Sequence, residues 1–70
     1  MQKFLVFTAP KIGGNITVCH IEDENAHGQY IEEYLDSMGD IYWAIFPATV
    51  PVDKAGQIFK NYVACRQGVI

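Results

Sequence analysis

Ten residues, "VCHIEDENAH" from Val18 to His27, hold one cysteine, two histidines and three carboxylates, half of the chain's side chains of these types, which could bind a metal or move a proton. Zinc is usually announced by paired ligands, C-x-x-C or H-x3-H, because four donors must converge at tetrahedral angles. Neither spacing occurs here. Cys19 and His20 are neighbours, and on a strand they point to opposite faces, so they do not readily share one ion. A site would need one of them together with His27, with Glu22, Asp23 or Glu24, or with distant Cys65. The simpler assignment makes Cys19 a small buried apolar side chain, His20 a strand-end polar residue and His27 a cover for a first helical turn. A small-ligand or metal-binding domain built on Cys19–His27 is therefore the alternative reading; the leading one has no metal and no cofactor.

Catalysis finds little more support. A cysteine nucleophile needs a nearby cation or a helix N-terminus to favour the thiolate, and a base within reach. Cys65 falls near the end of a predicted helix, where the dipole opposes a thiolate, and Cys19 lies beside acids. Three adjacent acids at 22–24 fit the solvated start of a helix better than an acid/base pair. A domain of this size also leaves little room for a pocket of about 300 Å³. The Gly13-Gly14 pair is followed by "ITV", a strand pattern, whereas phosphate-binding loops open onto a helix. No catalytic residue is assigned, and the chain is read as a non-enzyme.

The elements that hold these residues follow from periodicity. "QKFLVFTA" (Gln2–Ala9) is a strand apolar on both faces, "APKIGGN" a turn, and "NITVCHIE" (Asn15–Glu22) a second strand, together a β-hairpin. A helix is predicted from Glu24 to Met38, with His27, Tyr30, Ile31, Tyr34, Leu35 and Met38 in one apolar stripe and Glu32, Glu33 and Asp36 opposite. Asp23 or Asn25 would cap it, and Gly39 would end it. "DIYWAIFPA" (Asp40–Ala48) is the third strand. The second helix runs through "PVDKAGQIFKNYVACRQG", with Pro51 or Asp53 at its start and a stripe of Ala55, Ile58, Phe59, Tyr62, Val63 and Arg66. The expectation is a single small α+β domain over residues 1–70. It is a two-layer ββαβα sandwich, with a three-stranded antiparallel sheet in order 2-1-3 and both helices on one face.

That arrangement leaves an apolar surface open. The simplest hairpin register groups Phe4, Val6, Ile16 and Val18 on one face and Leu5, Phe7, Cys19 and Ile21 on the other. The third strand adds Ile41, Trp43 and Ile45 to the covered side, the bulkier set. Leu5, Phe7, Ile21, Tyr42 and Phe46 then form a patch that a homodimer or a partner protein is expected to bury.

Charge supplies the other functional signal. The chain carries eight acids against five bases, a net charge of −3. Its five bases (Lys3, Lys11, Lys54, Lys60 and Arg66) all lie outside residues 12–53. Aromatic strand faces such as "YWAIF" can stack bases, but the shortage of cations argues against direct nucleic-acid binding. No run approaches the roughly 18 apolar residues of a membrane span, and "MQKFLVFTAPK" lacks the pattern of a signal peptide. Two cysteines without a dense framework fit a reducing compartment, so a cytoplasmic location is expected. Acids Glu32, Glu33 and Asp36 are read as the contact for another protein, one with a basic or nucleic-acid-binding surface. The expected function is that of a regulator or inhibitor, of the kind of small acidic domain that phages use to occupy nucleic-acid-binding grooves.

Overall fold

A computed structural model describes residues 2–24 and 28–68. Its elements are β1 (Gln2–Pro10), β2 (Thr17–Asp23), α1 (Gln29–Met38), β3 (Ile41–Pro47) and α2 (Val52–Arg66). The sheet is antiparallel in order β2-β1-β3, as the doubly apolar first strand requires of the central position.

The helices, however, lie on opposite faces, and the expected one-sided, two-layer packing does not form. Ile31 and Leu35 of α1 bury Phe4 and Val6, with half-buried Ile21, Ile41, Trp43 and Ile45 around them. Ala55, Phe59 and Val63 of α2 bury Leu5, Phe7 and Ala9 on the other side. The reason is the alternation of β1 itself: each of its faces is apolar, and one helix covers each. Phe7 anchors the α2 side, its ring centroid 5.6 Å from that of Phe59 and 5.7 Å from that of Phe46, the latter edge to face.

The hairpin register also differs by one residue from the simplest one. Phe4 pairs with Ile21, Val6 with Cys19 and Phe7 with Val18. Cys19, Ile21 and Asp23 therefore share the α1 face, because a one-residue slip reverses every side chain of a strand. This parity has a structural purpose. It aims Asp23 at α1, where its Oδ2 accepts a hydrogen bond from the Ile31 N–H at 3.1 Å.

Two further bonds set the phase of the other pairing. Ala48 N–H donates to the Lys3 carbonyl, and Lys11 N–H donates to the Asp40 carbonyl. In an antiparallel ladder backbone direction alternates, so Tyr42, Ala44 and Phe46 turn their peptide groups toward β1. Ile41, Trp43 and Ile45 turn theirs toward the free edge of the sheet. The Ile41 N–H is satisfied locally by the Gly39 carbonyl at 2.8 Å.

Helix α1 starts at Gln29, five residues after the Glu24 expected from its apolar spacing. Gly28 is the cause. It is buried with φ +69°, a left-handed conformation that interrupts a right-handed helix and suits glycine. The N-cap is Gly28, without a side-chain cap bond. Asp23, expected at that position, instead accepts the Ile31 N–H from eight residues upstream, and Asn25 and His27 lie outside the described residues. Helix α2 falls within its expected span, with Asp53 in the first turn but no side-chain cap.

Candidate functional site

The outer side of α1 is built by the sequence "QYIEEYLDSM". Ile31 and Leu35, four residues apart, are its two buried side chains and hold it to the sheet. Glu32, Glu33 and Asp36 are exposed, as their position opposite that pair dictates. Tyr30, Tyr34 and Met38 form a second four-residue row beside the anchor row. They belong to the predicted apolar stripe, yet they are 70%, 61% and 52% exposed. The stripe is wider than the surface it covers, so the helix shows solvent three carboxylates with two phenols and a thioether alongside.

None of those carboxylates forms an ion pair with a described cation. Among the described residues the one ion pair is Lys3–Glu22, at 3.9 Å between exposed side chains. A pair of that kind contributes little to stability. The acidic side of α1 thus keeps its field for whatever approaches it.

The sheet-face patch has a different fate. Leu5 and Phe7 are 1% and 3% exposed, sealed beneath α2, and Tyr42 and Phe46 pack half-buried against the same cluster. Ile21 lies on the opposite face, near α1. Leu5 and Phe7 are core, and Ile21, Tyr42 and Phe46 are half-buried against two different clusters, so the five form no single open surface and the ground for a homodimer through it goes. An open patch needs both helices on one side of the sheet, and here one covers each side.

Residues 19–24 do not assemble as a centre among the described residues, and His27 lies outside them. Cys19 and His20 pair with Val6 and Leu5, on opposite faces of the sheet. Cys19 is exposed rather than buried as expected, because β2 is an edge strand with little above it; Cys65 is exposed as well, and both thiols are free. Among the described residues no three His, Cys, Asp or Glu side chains group so as to hold a metal ion. Changing both Cys19 and Cys65 to alanine should alter unfolding free energy by no more than about 0.5 kcal/mol, since neither side chain fills a core. Urea unfolding followed by circular dichroism checks this; a loss beyond about 2 kcal/mol would contradict the placement of both residues on the surface.

Sequence reasoning also missed the concave features. A cleft of about 360 Å³ wraps the start of β3 and is lined by Lys11, Asp36, Tyr42, Trp43, Tyr62 and Arg66, among others. A second, of about 300 Å³, lies between the hairpin loop and α2 and is mostly apolar. Both reach the size for which a domain of this length was expected to leave little room. Their lining comes from segments far apart in the chain, so no local spacing announces them. No helix among the described residues is long and apolar enough to cross a membrane. No protein family, no curated protein and no solved structure matches this chain.

Proposed function

We propose that this chain is a non-catalytic protein-binding module, a regulator or inhibitor whose contact surface is the outer side of α1. The observation that carries the reading is the juxtaposition of exposed Glu32, Glu33 and Asp36, with no ion pair among the described residues, and exposed Tyr30, Tyr34 and Met38. Protein interfaces are enriched in tyrosine and methionine, which bury large area on few rotatable bonds, while charges at the rim steer approach and fix register. The matching partner is a protein with a basic surface, such as one that ordinarily receives nucleic acid. Two free surface thiols suit a reducing, cytoplasmic setting.

The test begins with affinity capture from the native host and purification of the captured protein. Calorimetric titration then compares the wild type with a Glu32→Lys, Glu33→Lys, Asp36→Lys triple variant at low and physiological salt. All three positions are exposed, so the variant keeps the wild-type circular dichroism spectrum and unfolding midpoint. Its affinity should fall at least about tenfold, and wild-type binding should weaken as salt rises. Equal affinity in both proteins, unchanged by salt, would sink the reading.

A further inference from the structure

The cleft at the start of β3 combines features that its neighbours do not. It opens on the unpaired edge of the sheet at Trp43, which directs both N–H and C=O away from β1, and the same edge continues beyond the cleft to Ile45. Pro47, which has no N–H, closes that edge at its far end. Unlike β2, whose two faces are largely bare, this edge runs between two helix layers that provide walls. Backbone groups pointing into a walled groove are what an added strand uses.

The two walls differ in chemistry. On the α2 side stand Lys11, Tyr42, Tyr62 and Arg66. Lys11 Nζ sits 5.8 Å from the centre of the Tyr42 ring, and the Tyr62 ring meets Tyr42 edge to face at 6.3 Å. Neither Lys11 nor Arg66 has a described carboxylate within ion-pair distance. The α1 side carries Trp43, Ile41 and Ile45 over Leu35, with Asp36 at the rim. One wall favours carboxylates; the other favours apolar side chains and repels acids.

Side chains of a strand laid along β3 alternate between these two walls. We infer that the β3 edge is a second binding site, one that accepts an extended peptide of alternating apolar and acidic residues from a partner protein. Apolar side chains lie against Trp43 on the α1 side, and carboxylates reach Lys11 and Arg66 on the α2 side. The site meets the acidic surface of α1 only at Asp36 on its rim; it takes peptide of the opposite charge, and Lys11, Trp43 and Arg66, which decide binding, lie on other elements.

Trp43, the chain's single tryptophan, lines the cleft and reports its occupancy. The probes are three blocked hexapeptides: alternating valine and aspartate, alternating valine and lysine, and the aspartate peptide N-methylated at every second residue on the edge that would pair. Each is titrated into the full chain to about 1 mM, with tryptophan emission as the signal. The aspartate peptide should give a saturable change. The lysine and N-methylated peptides should bind at least about tenfold more weakly, the first for lack of charge complementarity and the second for lack of backbone bonds. A Lys11→Glu, Arg66→Glu variant, with both changes at the surface, should lose about tenfold for the aspartate peptide while keeping its unfolding midpoint. If that variant unfolds, Lys11→Gln alone should still weaken binding measurably. No saturable change with the aspartate peptide, or equal binding of the three probes, overturns the inference. So does sedimentation showing the edge already occupied by a second copy of the chain.

Discussion

Phe59→Ala is expected to remove most of the stability of this protein. Phe59 has no exposed surface, sits at the centre of α2 and packs on Phe7, the hub of that face. Truncating a buried phenylalanine costs about 3–5 kcal/mol, the lost transfer energy plus the cavity left behind. A chain of this length has about 4–10 kcal/mol to lose, from typical stabilities per residue. Denaturant unfolding should therefore shift to a far lower midpoint or lose its native baseline. The contrast is Ile58→Ala, one residue away on the same helix but nearly half exposed, where the change should stay within about 1 kcal/mol. Similar losses from the two variants would mean that α2 does not seal the Leu5–Phe7–Ala9 face.

The second large effect is expected at Asp23, a buried carboxylate at the end of β2. Its Oδ2 accepts the N–H of Ile31, in the first turn of α1, where no residue of the helix itself supplies a partner. Asp23→Ala leaves that buried N–H unsatisfied, and such a loss costs about 1–3 kcal/mol, toward the upper part of the range for a bond to a charged acceptor. Asp23→Asn keeps an acceptor of the same shape and should recover a large part of the loss. Urea unfolding of the three proteins measures both steps. An alanine variant as stable as the wild type would show that the bond is not what holds the start of α1.

Much of this architecture is written in short-range pattern. The three strands, the sheet order, both helices and the span of α2 follow from alternation, four-residue spacing and the turn residues between them. Three things are not local. Which face each helix covers depends on the path of the connections, and "FLVFTA" fits two arrangements, one helix on each face or two on one face with a partner on the other. Hairpin parity depends on how many of residues 11–16 the loop consumes, which no single turn motif specifies. The start of α1 depends on Gly28, whose left-handed backbone outweighs an apolar spacing that would otherwise continue toward Glu24. At the candidate site, exposure of Glu32, Glu33 and Asp36 is legible from the helical period. Exposure of Tyr30, Tyr34 and Met38 is not, since the same period fits a broader contact. The β3 cleft joins Lys11 to Arg66 across most of the chain, and only the folded form brings them together.

The central strand has a consequence of a different kind. Leu5 and Val6 are neighbours in the chain, yet their side chains serve separate clusters divided by the sheet. Substitutions that are distant and share no partner add their effects almost independently. One layer can therefore accumulate changes without demanding compensation from the other. In a lineage under pressure to follow a changing partner, the outer helix and its underlay can be rewritten while the opposite layer maintains the fold. Seventy residues thus hold two layers able to change separately, joined by a single strand that has to satisfy both.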